Sequence, residues 1–309
     1  AKSVGEVQTI EAKQLSDCLK DFQSSPVLTY RSGITELDKL IGGFMESEFI
    51  VFGARPGMGK THFLINMALS VSINIPTLYY SLDLSERQLT DRMVSSLTKI
   101  PLDSLLNNKL SDEQQKSVEA LKKNTAKNHL YLYSNHASSV HLFLDVCKKF
   151  IRENGVRIIF LDYLQLLTSQ QYRHNREHEM SYVSRLLKAF VREENVCLFA
   201  SCQLSRAVEQ RYGDHKPILS DLRDSGAFEQ DADKVFFLYR PEYYGILKDD
   251  GGQNNACLIE LILAKNRNGN TGTVFLSRDE SFTSLVPFKR KEDVFTISHT
   301  RLDELKTVF

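Results

Sequence analysis

Hydrophobic positions follow two different periods along this chain, and the change from one to the other marks out its elements. Between Val7 and Phe22 the apolar side chains Leu15, Cys18, Leu19 and Phe22 fall at i, i+3, i+4 and i+7 on an otherwise charged segment. That spacing predicts an amphipathic helix. Ser24-Ser25-Pro26 breaks the pattern, so residues 1–30 read as a linker with one helix, docked either on its own domain or on a neighbour. From Arg31 onward, short apolar runs alternate with segments of helical period. The runs predict strands at Glu48–Gly53, Thr77–Leu82, His129–Tyr133, Val156–Asp162, Val196–Ser201 and Lys234–Tyr239. Between them, helices are expected near Thr61–Ser70, Ser85–Thr98, Ser111–Lys127, Val140–Glu153 and Met180–Glu194. Such alternation predicts an α/β domain over 31–309, built on a mostly parallel sheet with helices on both faces. Val156–Asp162 is almost wholly apolar and belongs in the sheet centre. Gln170–Glu179 is so highly charged that it reads as a linker. Ala256–Lys265 and Thr271–Ser277 flank Asn268-Gly269-Asn270 and predict a C-terminal β-hairpin extension.

Composition narrows this picture a little. A chain of 309 residues can build one large α/β core. No apolar run reaches the roughly 18 residues that span a bilayer, and the first ten residues lack the apolar core of a signal peptide, so a cytoplasmic protein without membrane contact is expected. The five cysteines form no C-x-x-C pair, and buried free thiols are expected rather than zinc or disulfides. Lys plus Arg equals Asp plus Glu at 39 each, which argues against a protein that coats nucleic acid through a global basic field. An enzyme that grips a strand with a few loops remains open.

The candidate chemistry begins at Ala54-Arg55-Pro56-Gly57-Met58-Gly59-Lys60-Thr61, set between an expected strand and an expected helix. That context reads as a phosphate-binding loop: backbone N–H groups face phosphate oxygens, Lys60 reaches the terminal phosphates, and Thr61 offers its hydroxyl to Mg²⁺. The full pattern has glycine where this chain has Ala54, so a glycine-bearing turn without a ligand stays as the alternative. Asp162 closes the central strand at the edge where parallel sheets bind ligands. It is either the carboxylate that holds the water shell of Mg²⁺ or a loop cap. Asp83, just beyond the second predicted strand, is the candidate base for an attacking water. Gln203 follows another strand and has the chemistry of a γ-phosphate sensor, donating to phosphate and accepting from water; its alternative is a strand-end cap.

The stretches RSGITELDKLIGG, ARPGMGKT, YYSLDLSERQLTDRM, IIFLDYLQLL, ASCQLSRAVEQR, SDLRDSGAFEQDADKVFFLYRPEYY and AKNRNGNTGTVFL together resemble the C-terminal motor domain of DnaB-type replicative DNA helicases, RecA-like hexameric ATPases. The resemblance runs from about Arg31 to Leu285. That family also has alanine at the place of Ala54. By this resemblance Lys60, Thr61 and Asp162 bind Mg-ATP, Gln203 senses the γ-phosphate, and Arg92 is a further contact for the phosphates. Arg223, Asp224 and Gly226 fall where the family grips single-stranded DNA. Lys265 and Arg267 fall where it offers basic residues to the ATP of the adjacent subunit. The resemblance implies a homo-oligomer, a hexameric ring translocating on single-stranded DNA, with primase and a helicase loader as candidate partners. Asp83 and Asp224 stand where the family usually has glutamate, and Asn266 where it has glutamine. The family also has an N-terminal domain ahead of the linker helix, so this chain is expected to be either the motor alone or a shorter relative. The competing expectation is a RecA- or KaiC-like ATPase, or a loading accessory protein, that does not unwind.

Overall fold

The computed structural model describes residues 14–16, 29–124, 128–136, 138–172, 175–249, 251–279 and 284–288, and does not extend to the side chains of 124 and 223–225. Apart from 14–16, the expected amphipathic helix lies outside the described residues.

In chain order the strands are β1 (Thr29–Tyr30), β2 (Phe44–Met45), β3 (Phe49–Ala54), β4 (Thr77–Ser81), β5 (Leu130–Ser134), β6 (Ser138–Ser139) and β7 (Ile158–Asp162). They continue with β8 (Leu167–Thr168), β9 (Cys197–Gln203), β10 (Lys234–Tyr239), β11 (Leu258–Asn266), β12 (Gly272–Arg278) and β13 (Leu285–Pro287). Nine of these form one sheet in the order β13-β12-β11-β10-β3-β9-β7-β4-β5. From β10 to β5 every neighbouring pair is parallel, whereas β11, β12 and β13 add on antiparallel. The expected hairpin is therefore present as β11 and β12. Its turn is braced by Asn266, whose side chain donates to the Asn270 carbonyl at 3.0 Å and accepts from the Asn268 N–H at 3.2 Å.

β3 is buried along its whole length because helices cover both faces of the sheet. Side chains alternate across a strand. Phe49 and Val51 join a core with Phe143, Met180, Val183, Leu187 and Phe228. Ile50 and Phe52 join the opposite core with Leu37, Leu64, Met67 and Leu89. At about 25 cal/mol per Å² of apolar surface removed from water, these two layers are the dominant stabilising term of the domain. The mostly parallel α/β sheet expected from the alternation is what forms, in the RecA-like arrangement that the resemblance implies. Cys147, Cys197, Cys202 and Cys257 are free thiols, three of them buried, and no helix among the described residues is long and apolar enough to cross a membrane.

Two expectations need correction. Gln170–Glu179 is not a linker throughout: a 3₁₀ turn occupies Gln170–Tyr172 and the helix starts at Arg176, four residues before Met180. Asn175 starts it by accepting the His178 N–H at 3.1 Å. Glu179 is buried, accepting from the Ser169 N–H at 2.6 Å and pairing with Arg176 at 2.5 Å, so the charge run does not mark exposure there. Short helices at Leu102–Leu106, Ala207–Gln210 and Gly226–Asp231 add to those expected, because four to six residues carry too little periodicity to be read.

Candidate functional site

The loop after β3 makes its turn with two glycines in the left-handed region, Gly57 at φ 77° and Gly59 at φ 92°. A side chain at either would be strained, and at Gly57 an added Cβ would also press on the Tyr243 ring at 3.3 Å. Gly59 brings no capping side chain to the helix Lys60–Val71, so no N-cap side chain competes for its first-turn N–H groups. Met58 packs beneath the turn, fully buried.

The parallel register aligns strand ends on the same edge as this loop. Ala54 pairs with Gln203, and Ser81 pairs with Asp162. The Asp162 carboxylate, 1% exposed, accepts from the Thr61 hydroxyl at 2.6 Å and the Tyr79 hydroxyl at 3.2 Å through Oδ2, and from Ser201 at 2.5 Å through Oδ1. Three donors hold it, and the loop-cap alternative does not describe this arrangement. Burial, with the neighbouring Asp162 carboxylate, drives the Tyr79 phenol well above its ordinary pKa, so it stays a donor. Lys60 places its ammonium 4.4 Å from the centre of the Tyr163 ring. Burial raises the Tyr163 pKa, and the Asp83 and Asp162 carboxylates raise it further.

Ala54, Arg55, Pro56, Gly57, Gly59, Lys60, Thr61, Asp83, Arg92, Tyr163 and Gln203 line a cleft of about 560 Å³, which Asp162 adjoins through its bond from Thr61. That volume suits a nucleotide-sized ligand. Asp83 is exposed at the mouth. The backbone of Gln203 exchanges two hydrogen bonds with the Gln165 side chain, at 3.1 and 3.0 Å, which leaves its own amide at the cleft. Arg55 lies in the cleft wall with the rest of the loop. Its guanidinium is 7% exposed and bound to Glu209 and to the Leu204 carbonyl.

Lys265 and Arg267 lie elsewhere. β11 runs antiparallel to β10, and Asn266 pairs with Lys234, which in turn pairs with Ile50 at the start of β3. They therefore stand at the sheet edge opposite the phosphate loop, separated from it by roughly 13 Å of strand. Lys265 donates to the carbonyls of Glu229 and Gln230 at 2.6 and 3.1 Å, and Arg267 donates to the Gln230 carbonyl. Burial lowers the Lys265 pKa, and the Arg267 charge lowers it further. Arg223, Asp224 and Gly226 follow β9 in a 3₁₀ turn, Leu219–Ser225, and the helix Gly226–Asp231. Gly226 is in the right-handed helical region, and a Cβ there would meet nothing within 4 Å.

Several site residues went unread in the sequence. Ser201 was within reach, since period two puts it on the same strand face as Gln203. Its meeting with Asp162 depends on strand register. His62 lines the cleft, and burial pushes its pKa down to about 4, with Arg92 and Lys99 adding to the effect and Asp279 opposing it. Arg240 donates to the Gly57 carbonyl at 3.1 Å. Glu242 anchors Arg240 and Arg278 at 2.6 and 2.7 Å. Burial alone would raise its pKa, but the Cys257 N–H and the two guanidiniums bring it down to about 2.

The donor set fits Mg²⁺ held with a phosphate. Thr61 offers a hydroxyl and Asp162 a carboxylate on one edge, and among the described residues no group of three or more His, Cys, Asp or Glu could hold a metal by itself. Mg²⁺ takes one or two carboxylates and completes its shell with water and phosphate oxygens.

Residues 30–286 match the model of the DnaB-like helicase C terminal domain. The chain is 38% identical over 265 residues to the replicative DNA helicase DnaB of Geobacillus stearothermophilus, covering 85% of this chain and 57% of that protein. It is 38% identical over 279 residues to a probable replicative DNA helicase of Trieres chinensis, covering 89% and 61%. It thus spans about three-fifths of the length of these relatives. Among solved structures, an isolated ATPase domain superposes with a TM-score of 0.82 at 31% identity, covering 90% of this chain and all of that one. A DnaB-like replicative helicase, described with its interactions with primase, has a TM-score of 0.80 at 32% identity over 89% of this chain and 68% of the other. With the family model spanning most of its length and a phosphate loop, strand-end carboxylate and strand-end glutamine on one sheet edge, the chain belongs to the DnaB-like helicase C-terminal domain family.

Proposed function

We propose that this chain is the ATP-hydrolysing motor of a DNA helicase, working as a hexameric ring that moves along one strand and excludes the other. The observation that carries the reading is the separation of two half-sites. Lys60, Thr61, Asp83, Asp162 and Gln203 line or adjoin a single cleft, whereas Lys265 and Arg267 sit at the far edge of the same sheet. One chain holds the triphosphate, and the arginine that stabilises its transfer comes from the next copy.

Arg55, Pro56, Gly57, Met58 and Gly59 give the backbone of the loop around the phosphates, Ala54 leaves room at its start, and Arg92 adds a cation from the cleft wall. Mg²⁺, bound through Thr61 and the hydrogen-bonded Asp162, would supply charge neutralisation on the phosphate oxygens. Asp83 takes a proton as water oxygen bonds to the γ-phosphorus and the bond from that phosphorus to the β–γ bridging oxygen breaks, releasing ADP and phosphate. Lys60 and the neighbour's Arg267, with Lys265 beside it, stabilise the developing charge. Gln203 loses its phosphate contact on release and passes that change along β9.

Arg223, Asp224 and Gly226 are the proposed grip on the single-strand backbone. The open space at Gly226 supports this, because neither its φ nor its packing calls for glycine, while an approaching phosphate does. Primase and a loader are the proposed protein partners, in a cytoplasmic setting, following the helicase whose interactions with primase have been described. Hydrolysis stimulated by single-stranded DNA, with unwinding of a forked duplex, tests the reading. Hydrolysis with no DNA response would favour the non-unwinding ATPase instead.

A further inference from the structure

We infer that the Arg55–Glu209 ion pair couples nucleotide occupancy of the phosphate loop to the strand-gripping segment, an inference that rests on the proposed function. Arg55 belongs to the phosphate loop by sequence, but its side chain turns away from the cleft into a nearly buried position. There its Nε and Nη2 donate to one oxygen of Glu209 at 2.9 and 2.7 Å, and its Nη1 donates to the Leu204 carbonyl at 2.7 Å. The Leu204 N–H returns a bond to the Ala54 carbonyl at 3.1 Å. The loop and the segment leaving β9 are thus tied together on both sides of Arg55.

The next residue carries the tie onward. The Ser205 N–H donates to the Asp221 carbonyl at 3.0 Å. Asp221 is buried, and its carboxylate holds Arg211 at 2.5 Å and the Ile218 N–H at 2.7 Å. It lies inside the turn Leu219–Ser225 that carries Arg223. A continuous chain of hydrogen bonds therefore runs from Arg55 to the gripping turn, beside Gln203 but separate from its side chain. A guanidinium this buried cannot exchange its partners for water cheaply, so a shift of the loop on filling must move Glu209 and Leu204 or break charged bonds. Displacement is the cheaper response, and it reaches Asp221. Glu209 sits on the four-residue helix Ala207–Gln210 with its side chain 42% exposed, so it can follow Arg55 without disturbing either core.

Glu209 acts as a positioning residue and touches no substrate. The test uses linkage: if the two sites are coupled, an ATP analogue changes the affinity for DNA by the same factor that DNA changes affinity for the analogue. The dissociation constant of fluorescein-labelled oligo-dT is measured on the full chain with and without AMP-PNP, for the parent, Glu209→Gln and Glu209→Asp. The parent ratio should fall within the usual coupling range of about 5- to 150-fold. Glu209→Gln should bring it to within about twofold of one, with AMP-PNP affinity in the absence of DNA unchanged within the same margin. Glu209→Asp, which keeps the charge, should restore part of the ratio. A merely structural brace would lower the melting temperature and leave the ratio intact, and that result overturns the inference. So does a parent ratio of one, or an Asp variant no better than Gln. A parent that binds no oligo-dT at all overturns the proposed function itself.

Discussion

Thr61 Oγ1 donates to Asp162 Oδ2 at 2.6 Å although the two residues stand 101 positions apart in sequence. The hydroxyl in the first turn of the helix after the phosphate loop thereby meets the carboxylate that ends β7. Two rigid elements hold them, so the pair of groups that would bind Mg²⁺ is assembled by the fold before any ligand arrives. Ser201 and Tyr79 fix the carboxylate from its other sides.

Lys60→Ala removes the ammonium proposed to contact the terminal phosphates while leaving both cores untouched. Turnover should fall by about 10²-fold or more. Steady-state ATP hydrolysis at saturating nucleotide, beside a thermal melt showing parental stability, measures it. Normal turnover in a folded Lys60→Ala protein would remove the cleft from the mechanism.

Asp83→Asn retains shape and loses basicity, so nucleotide binding should stay near parental while turnover drops by about 10²- to 10⁴-fold. Asp83→Glu addresses the shorter side chain. If one methylene too few holds the carboxylate back from water, glutamate raises kcat; a large loss instead shows a site built around aspartate.

Arg223→Ala should weaken single-stranded DNA binding alike on all sequences and reduce the slope of log K against log salt by about one, because phosphate contacts carry no base information. Gly226→Ala should weaken binding through crowding alone, leaving that slope unchanged. Titrations across a series of salt concentrations separate the two, and parallel lines for Arg223→Ala and parent would make Arg223 an internal ion-pair partner.

Arg267→Ala should bind ATP and hydrolyse it about 10³- to 10⁵-fold more slowly, as expected for loss of an arginine finger. Mixed with Lys60→Ala under ring-forming conditions, it should recover part of the activity, since one class of interface regains an intact loop and an intact arginine. No recovery after verified subunit exchange, together with normal hydrolysis by Arg267→Ala alone, would show that the residue serves only its own hairpin.

His62 carries a pH signature. Its folded pKa of about 4 lies below the ordinary 6.5, so the unfolded chain binds the proton first as pH falls. Its contribution is full above pH 6.5 and is lost as pH drops from there through about 4, worth at most about 3 kcal/mol. His62→Gln should flatten the stability profile in that window. Denaturant midpoints measured above, within and at the foot of that window give the comparison; equal slopes with pH in both proteins would refute the assignment.

Much of the site is written locally. The strand-turn-helix pattern around Lys60 and Thr61, and the apolar strands that end in Asp162 and Gln203, follow from periodicity and turn chemistry within about ten residues, which a sequence displays directly. The hairpin of β11 and β12 was legible for the same reason. What only the tertiary structure decided was where those pieces meet. Register between β7 and β9 brings Ser201 to Asp162, and the antiparallel return of β11 carries Arg267 to the edge away from the loop. Burial turned Arg55 from the phosphates toward Glu209 and made the charged stretch before Met180 the capped start of a helix. Register and burial depend on how whole faces of sheet and helix pack together, a sum over distant residues that no local window contains.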